Sequence, residues 1–343
     1  MKEIDLNKRI NAFVELGSYI KDQIARLDDG SELNDVIRMA NNKNVWFDQR
    51  SVVEALDGIA SWLNTESLVE WVSYYTNQIS SERESQVVAI VMAGNIPAVG
   101  FHDLLCVLIA GHHAQVKLSS DDDVVIPYLV KQLIQIEPGF KDAIVFKEGF
   151  IQGFKGVIAT GSNNTARYFE KYFKGYPSII RGNRNSVALV TGKETEEEIL
   201  RLGQDIFAFY GLGCRSISQI WFPKNFDYHQ FFEPLTAFNY VVENSKYMNN
   251  LDYNKALMLV NREKFLDGGF ALLRPSKSVL SPISVINYVE YEDVNEFHDH
   301  VKKEQNNIQV VVGPGYQNYG VAQKPELSDY ADKIDTMKFL LEL

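Results

Sequence analysis

The stretch VVAIVMAGNIPAVGFHDLLCVLIAGHHAQVKLSS, residues 87–120, decides the fold class. Its first six residues, 87–92, form a short, largely β-branched run, which is typical of a strand buried on both faces. An apolar segment around 100–110 has the length of a helix, and a second strand-like run follows at 114–119. A strand, a helix and a further strand in this order predict a parallel sheet with helices on both faces.

The alternation of strands and helices continues toward the C-terminus. Further strands are predicted at 143–146, 156–160, 186–191, 217–223 and 283–291. Helices are predicted near 123–136, 194–211, 227–238, 253–264 and 292–303, with a final apolar helix in the tail. Before the first strand the pattern is helical: apolar residues recur at three- and four-residue steps over 10–24, and further helical runs cover 51–64 and 66–78. The sequence therefore predicts an α/β protein with a helical N-terminal part.

Composition excludes several classes of protein. With 343 residues and 45% hydrophobic content, the chain can bury one large core or two ordinary ones. Its net charge of −11 argues against a broad nucleic-acid surface. The first residues lack the apolar core of a signal peptide. The most apolar stretch, 87–111, is interrupted by Asn95, Pro97 and Asp103, which makes it a poor membrane span. We therefore expect a soluble, cytoplasmic protein of two domains, neither transmembrane nor bound to nucleic acid.

The two cysteines lie in unlike surroundings and do not suggest a disulfide framework. Cys106 lies in the apolar run DLLCVLIAG, where a buried thiol is inert. Cys214 lies in YGLGCRSISQIW, residues 210–221, between glycines and Arg215 and just before a predicted strand. The glycines let backbone or a ligand approach closely, and Arg215 offers a charge that favours the thiolate. These residues alone leave two interpretations open, a nucleophile and an ordinary cysteine in a turn.

Three polar segments follow predicted strands and are candidate ligand sites. Asn95 could present its amide at the carboxyl end of a strand, where open α/β sheets bind ligands; the alternative is that it caps the following helix. Lys117 could neutralise a ribose or phosphate, although a lysine is more often an ordinary surface residue. The Gly161–Ser162 turn precedes a helix and could aim its N-terminus at a phosphate or a nicotinamide ring. No G-x-G-x-x-G sequence follows a strand, so the usual dinucleotide fingerprint is absent.

The histidines do not indicate a metal site. His102, His112 and His113 lack metal-ligand spacing with any second cluster of ligating residues. Packing or surface roles are therefore favoured for all three, and no metal cofactor is expected.

Taken in order, these segments resemble the aldehyde dehydrogenase superfamily, and more narrowly the acyl-CoA reductases whose best-known member makes aldehyde for bacterial luminescence. AGNIPAVGFHDLLCVLIAGHHAQVKLSS is similar to the superfamily's segment of strand, Asn-Pro, helix, strand and Lys. ATGSNN resembles the Gly-Ser turn under the nicotinamide, and GLGCRS stands where the superfamily carries its nucleophile. AQKPELSDYADKIDTMKFL is similar to the C-terminal end of the narrower family. The resemblance covers roughly residues 85–343.

The resemblance implies an aldehyde-dehydrogenase-like fold and a reaction at Cys214. Its thiolate would attack a fatty acyl thioester, form an acyl-enzyme and release the carrier thiol. The side-chain amide of Asn95 and the backbone N–H of Cys214 would bind the oxyanion. A reduced nicotinamide over the Gly161–Ser162 turn would then deliver hydride, and an aldehyde would leave. Lys117 and Ser119 are the other residues implied in cofactor binding.

Three departures from the superfamily pattern refine this expectation. Arg181 stands where hydrolytic aldehyde dehydrogenases carry a water-activating glutamate, and an arginine cannot be a general base, so thioester chemistry is left. We expect Arg181 to be an ordinary surface charge, with attraction of the phosphates of CoA or cofactor as the alternative. Ser120 replaces the glutamate expected three residues after Lys117, which favours NADPH over NADH, although Asp121–Asp123 act in the opposite direction. The Glu-x-Phe-Gly-Pro ribose motif has at most the remnant SVLSP, 278–282, which weakens the expected ribose contact.

The resemblance also implies a division of the chain. Residues 1–182 would form a Rossmann-type nucleotide-binding domain with a helical N-terminal part, and 183–310 an α/β catalytic domain. Residues 311–343 would return to the first domain or take part in oligomerisation. The implied function is NADPH-dependent reduction of an acyl thioester to an aldehyde, without a metal. The acyl carrier would be CoA or acyl carrier protein, and the partners a second copy of the chain or acyl-supplying enzymes.

Two alternatives stay open. An enzyme of the same fold would reduce an acyl phosphate, as glutamyl-phosphate reductases do. A non-catalytic subunit would carry an acyl group on Cys214 and depend on partner proteins for its supply, and the weak ribose motif is what keeps this alternative open.

Overall fold

The computed structural model describes residues 4–76, 78–79 and 84–343. The chain forms two compact units: the first takes the chain up to Gly182 and again over Glu326–Leu343, and the second is Asn183–Pro325. The end of the segment 311–343 therefore packs within the first unit, whereas its beginning belongs to the second. Nucleotide binding by the first unit and catalysis by the second stay predictions. Among the described residues, no helix is both long enough and apolar enough to cross a membrane.

A five-stranded parallel sheet forms the centre of the first unit. Its strands are β1 (Val87–Val91), β2 (His113–Lys117), β3 (Ile144–Phe146), β4 (Gly156–Thr160) and β5 (Ser178–Arg181). They pair in the order β3-β2-β1-β4-β5. In the central strand β1, Val88, Ala89 and Ile90 are completely buried, as a strand covered on both faces requires. Four of these strands confirm predictions; the short strand β5 was not predicted.

Helices of the first unit lie before β1 and between its strands. They are α1 (Leu6–Ala25), α2 (Glu32–Lys43), α3 (Gln49–Trp62), α4 (Thr65–Ser73), α5 (Phe101–Ile109), α6 (Val125–Ile136) and α7 (Asn163–Tyr172). α1 buries Phe13 and Leu16 completely, which belong to the apolar pattern that predicted it. α4 ends at Ser73, earlier than the predicted run 66–78, and residue 77 of that run lies outside the described residues. α2 was not predicted.

The second unit contains a six-stranded sheet. Its strands are β6 (Asn185–Leu189), β7 (Ile217–Pro223), β8 (Leu266–Asp267), β9 (Leu272–Pro275), β10 (Val285–Tyr291) and β11 (Ile308–Val312). They pair in the order β11-β6-β7-β10-β9-β8, in parallel except for β8 against β9. The helices are α8 (Glu196–Phe207), α9 (His229–Leu235), α10 (Ser245–Asn261) and α11 (Asn295–Lys303). The strands β8, β9 and β11 were not predicted, and α10 begins earlier than the predicted start at 253.

The C-terminal tail completes the core of the first unit. Its helix α12 (Thr336–Leu341) buries Leu340 completely. The Trp71 indole N–H donates to the Tyr330 hydroxyl at 2.8 Å, and the Tyr75 hydroxyl donates to the Asp335 carboxylate at 2.9 Å. These bonds join the tail to α4 and the turn after it. The predicted fold class, α/β with parallel sheets, is confirmed.

Candidate functional site

The carboxyl edge of the first sheet holds a topological switch point. The chain runs from β1 outward to β2 and β3, and then returns to β4 on the other side of β1. Val91, at the end of β1, is paired with Lys117 of β2 on one side and with Ala159 of β4 on the other. In open α/β sheets, ligands bind outside the carboxyl ends of the strands at such a reversal of strand order. The segments that follow β1, β2 and β4 therefore meet at a place suited to a ligand.

The residues predicted for the first unit lie in these segments. They are Asn95 after β1, Lys117 and Ser119 at the end of β2, and Gly161 and Ser162 after β4. Gly94 lies directly against Ser119, because a Cβ at Gly94 would be 2.6 Å from the Ser119 Oγ. The structure thus brings these segments to one edge, while the binding roles of the five residues stay predictions.

The Gly161–Ser162 turn starts helix α7. Ser162 is the N-cap residue, and its Oγ accepts a hydrogen bond from the Thr165 backbone N–H at 3.2 Å. A Cβ at Gly161 would lie 2.9 Å from the Thr165 Cγ2, so the turn leaves no room for a side chain there. The helix N-terminus, with its partial positive charge, faces the edge at which β4 ends. This arrangement fits a phosphate or a carbonyl-bearing ring of a cofactor.

Asn95 does not cap helix α5. The helix begins at Phe101 and its N-cap residue is Gly100, so the capping alternative for Asn95 is wrong. The loop passes instead through Ala98, whose backbone is left-handed at φ 54°. The Ala98 N–H donates to the Asp122 Oδ2 at 2.7 Å. A residue other than glycine stays in this conformation only when its surroundings hold it.

Asp122 anchors the Asn95 loop from inside the first unit. It is 3% exposed, and burial raises the pKa of its carboxyl to about 7. Sequence reasoning missed this residue, since three successive aspartates carry no sign of which one turns inward. Its neighbour Asp123 faces outward enough to pair with Lys43 at 2.6 Å.

The cofactor candidates on β2 have partners within the protein. Lys117 is half-buried and its Nζ donates to the Gly149 carbonyl at 3.0 Å. The Ser119 Oγ accepts a hydrogen bond from the Asp121 N–H at 3.2 Å. Both side chains therefore order the loops at the sheet edge, and a contact with a cofactor stays a prediction for each.

Cys214 lies in the second unit, in the turn between α8 and β7. After α8 the chain passes through Phe209, Tyr210 and Gly211, all with left-handed backbone at φ 51°, 58° and 76°. Bulky residues rarely adopt this conformation, so the turn is strained and must be held by its surroundings. Cys214 is half-buried, and its carbonyl accepts a hydrogen bond from the Ser186 Oγ at 3.1 Å. A fixed, strained turn therefore presents this thiol.

The two glycines next to Cys214 differ in how strongly their positions favour glycine, and Arg215 makes a contact of its own. Glycine at 211 adopts its left-handed backbone without steric cost, whereas any other residue there would add strain to the turn. Gly213 does not, since a Cβ there would meet the Ser216 Oγ at 3.4 Å, an ordinary contact. Arg215 donates from Nη1 to the Ala322 carbonyl at 3.4 Å. That the charge of Arg215 favours the thiolate form of Cys214 stays a prediction.

Cys106 has the opposite environment. It is completely buried in α5, with its sulfur 3.9 Å from the His102 Nδ1. Burial, and after it the neighbouring Asp103 carboxylate, raises the pKa of this thiol well above its ordinary value. The prediction that Cys106 is a core residue is confirmed.

Arg181 is buried, so the expectation of a surface charge is wrong. It is 4% exposed at the end of β5, and its Nη1 donates to both Asp103 carboxylate oxygens, at 2.9 and 2.7 Å. Its Nη2 donates to the Thr336 Oγ1 at 2.8 Å. Because the guanidinium is enclosed and Asp103 balances its charge, it is not placed to attract the phosphates of CoA or cofactor, and that alternative is also wrong. Arg181 joins β5 to α5 and to the C-terminal tail.

Two of the histidines are packing residues, as predicted. His102 contacts the rings of Trp62 and Tyr330 edge-on, at centroid distances of 5.4 and 5.6 Å. His112 is 1% exposed, and its Nδ1 accepts a hydrogen bond from the Gln86 N–H at 3.0 Å. The described part of the chain contains no cluster of three or more His, Cys, Asp or Glu side chains that could hold a metal ion.

Solved structures define the class of the fold. The chain is similar to the aldehyde dehydrogenase KauB from Pseudomonas aeruginosa, with a TM-score of 0.63 and 12% sequence identity over 91% of this chain and 72% of that one. It is also similar to an aldehyde dehydrogenase from Bacillus cereus in complex with NAD⁺, with a TM-score of 0.61 and 14% identity over 90% and 72% of the two chains. The predicted aldehyde-dehydrogenase-like fold is confirmed.

The family follows from the sequence. The model of the acyl-CoA reductase (LuxC) family matches residues 44–239, which is more than half of the chain, and the protein belongs to this family. The matched range includes both Asn95 and Cys214. Among curated proteins, none matches this sequence. Family and fold together indicate an oxidoreductase that acts on acyl or aldehyde substrates.

Proposed function

We propose that the protein reduces an acyl thioester to an aldehyde through an acyl-enzyme on Cys214, with NADPH as the reductant. The placement of Cys214 carries this proposal: it is a half-buried thiol in a strained turn, in a chain of the acyl-CoA reductase family. The only other cysteine, Cys106, is completely buried and cannot meet a substrate in the folded protein.

The reaction requires a thiolate that attacks and later leaves. The Cys214 sulfur attacks the carbonyl carbon of the thioester, the bond from that carbon to the carrier sulfur breaks, and the carrier leaves as a thiol after gaining a proton. A reduced nicotinamide, when bound, supplies the hydride that converts the acyl group to an aldehyde. Cys214 then leaves as a thiolate. One thioester, one NADPH and one proton give one aldehyde, one NADP⁺ and one free thiol.

Two donors would stabilise the oxyanion formed in these steps. They are the side-chain amide of Asn95 and the backbone N–H of Cys214, and one such donor is typically worth roughly 3–4 kcal/mol. Such a donor is effective only when its position is fixed beforehand. The Asn95 loop meets this condition, because the Ala98 N–H is bonded to the buried Asp122 carboxylate at 2.7 Å.

The carboxyl edge of the first sheet is the proposed cofactor site. Gly161 and Ser162 would offer the N-terminus of α7, and Lys117 and Ser119 would contact a ribose or phosphate. The glycine without room for a side chain and the N-cap serine support this assignment, since they fix a helix terminus at the switch point of the sheet.

NADPH is favoured over NADH by the charges after β2. Ser120 lacks the carboxylate that would repel a 2′-phosphate. Of the three aspartates that follow, Asp122 is buried against Ala98 and Asp123 is paired with Lys43. Their negative charge therefore opposes a 2′-phosphate less than the sequence suggests.

Arg181 supports reduction of a thioester over oxidation of an aldehyde to an acid. It occupies the position at which the resemblance places a water-activating glutamate, and it is locked in an ion pair with Asp103. Neither an arginine nor a carboxylate held in this pair is a suitable base for water. Transfer of the acyl group to the thiol of CoA needs no such base.

The test is aldehyde formation with NADPH from two matched substrates, an acyl-CoA and the corresponding acyl phosphate. We expect aldehyde from the acyl-CoA, with Cys214 acylated on peptide mapping. Aldehyde from the acyl phosphate alone would show the alternative reductase of the same fold. Acylation of Cys214 without any binding of NADPH or NADH in a titration would show an acyl-carrying subunit. An acyl carrier protein thioester, offered beside acyl-CoA, identifies the carrier.

A further inference from the structure

A loop of the second unit is held by one buried carboxylate. We call residues 319–323, which follow β11, the strap. Asp205 of α8 is completely buried; its Oδ2 accepts from the Gly320 N–H at 2.7 Å and its Oδ1 from the Ala322 N–H at 2.9 Å. The Asp205 backbone carbonyl accepts a further hydrogen bond from the Gln323 side chain at 3.3 Å. Both oxygens of this carboxylate therefore fix the strap to α8.

The strap also contacts the residues that follow Cys214. The Arg215 Nη1 donates to the Ala322 carbonyl at 3.4 Å. The Gln323 Nε2 donates to the Ser216 Oγ at 3.1 Å. Side-chain hydrogen bonds therefore connect the strap to α8, through Asp205, and also to Arg215 and Ser216, the two residues that follow Cys214.

The surroundings of Asp205 favour a role beyond filling the core. Burial raises the pKa of its carboxyl to about 6, because the charged form is less favourable in the interior. An apolar residue would fill the same space without this cost. Asp205 also lies in the last turn of α8, and the left-handed residues Phe209 and Tyr210 follow soon after that helix ends. One residue therefore sets the position of the strap close to where the strained turn begins.

We propose that Asp205 is a positioning residue, which acts through the strap to fix the backbone of the Cys214 turn and with it the direction of the thiol and of the Cys214 N–H. This inference rests on the proposed function for its catalytic consequence. Its structural part, that Asp205 orders the turn, can be measured without any substrate.

Three variants test the proposal. Asp205→Asn keeps the shape of the side chain but turns one acceptor into a donor, which faces a strap N–H. Gln323→Ala removes the strap's bonds to Ser216 and to the Asp205 backbone carbonyl, and it leaves the buried carboxylate untouched. Asn254→Ala is the matched control, because it removes another buried bond of the second unit, to the Ile283 carbonyl at 3.1 Å. It contacts neither the strap nor the cysteine turn in any hydrogen bond of the described residues.

Two rates are measured on each variant. Hydrogen exchange of the peptide spanning 213–216 reports the order of the turn, and the single-turnover rate of Cys214 acylation at saturating acyl-CoA reports its catalytic use. We expect Asp205→Asn to accelerate exchange in this peptide and to slow acylation by about tenfold or more, with the dissociation constant of NADPH unchanged. Gln323→Ala should act in the same direction, and Asn254→Ala should lower the melting temperature without changing either rate.

The outcomes separate the two proposals. Unchanged exchange at 213–216 in both Asp205→Asn and Gln323→Ala overturns the positioning role, whatever the acylation rate. Equal acceleration by Asn254→Ala also overturns it, because the effect would then come from general destabilisation. If Asp205→Asn does not fold, Gln323→Ala decides alone. Absence of acylation in the unmodified protein overturns the proposed function and leaves the exchange result to decide on Asp205.

Discussion

The two cysteines of this protein show how one residue type takes two roles. Cys106 lies in the middle of α5, completely buried, and its surroundings raise the pKa of the thiol. Cys214 lies in a half-buried turn that follows two left-handed aromatic residues, Phe209 and Tyr210. An inert thiol needs only an apolar core, whereas the half-buried thiol of Cys214 is accompanied by backbone strain and by a buried carboxylate that holds a neighbouring loop. The difference indicates that the second unit maintains a special conformation around Cys214.

The largest expected effect separates the two thiols directly. Cys214→Ala should abolish acyl-enzyme formation and reduce aldehyde production to the level of the uncatalysed reaction, because no other thiol is accessible in the folded chain. NADPH binding should be nearly unchanged, since the proposed cofactor residues lie in the first unit. The measurements are aldehyde yield and nucleotide titration. Cys106→Ala is the matched control, and loss of activity in that variant instead would reverse the comparison.

The next effect concerns the ion pair beside Cys106. Arg181→Ala leaves Asp103 buried without its partner, and we expect the free energy of unfolding to fall by about 3–5 kcal/mol. Denaturant unfolding checks this. A double variant, Arg181→Met with Asp103→Asn, should recover most of the loss. An Arg181→Ala protein as stable as the parent would mean that the pair has no structural role, and the site would have to be reconsidered as a functional one.

Asn95 should matter for turnover and not for stability. Asn95→Ala should slow turnover by about a hundredfold or more, the usual effect of losing one oxyanion donor. Asn64 is a matched control, because its side chain does cap a helix, accepting from the Ser67 N–H at 2.9 Å. Asn64→Ala should lower the free energy of unfolding by about 1 kcal/mol and keep full turnover. The same pattern in both variants, stability lost and activity kept, would remove Asn95 from the site.

The smallest effect is expected at the buried cysteine. Cys106→Ala should lower the free energy of unfolding by about 1 kcal/mol, less than the roughly 2–5 kcal/mol of a Leu→Ala change, because only one sulfur atom is removed. Acylation of Cys214 should proceed at the parental rate. Thermal unfolding and single-turnover acylation on one preparation give both values.

The fold was largely predictable because its central strands are uninterrupted apolar runs. The run 87–92 has no polar residue, which predicts a strand buried on both faces, and it lies at the centre of the sheet. The strand β8 has only two residues, and β5 (SIIR) and β9 (LLRP) each have a single pair of apolar residues beside an arginine, whereas the equally short β3 (IVF) is entirely apolar. β11, with the sequence IQVVV, carried a β-branched signal that could have identified it.

The site was less predictable, because long-range partners decide it. The interpretations of Asn95 as a helix cap and of Arg181 as a surface charge followed from the residues next to them in the sequence. Gly100 is the N-cap residue of α5 instead. Arg181 forms an ion pair in the interior with Asp103, which is far from it along the chain. Asp122 and Asp205 gave no local signal at all, since each acts on backbone N–H groups of a distant segment.

The central claim is that Cys214, and not Cys106, accepts an acyl group from a thioester. The most direct measurement is mass spectrometry of the intact protein after mixing with a panel of acyl-CoAs of different chain length and without NADPH, followed by peptide mapping. We predict one added acyl group, on the peptide that contains Cys214, with a preferred chain length. An acyl group on Cys106, or no acylation by any member of the panel, would contradict the account.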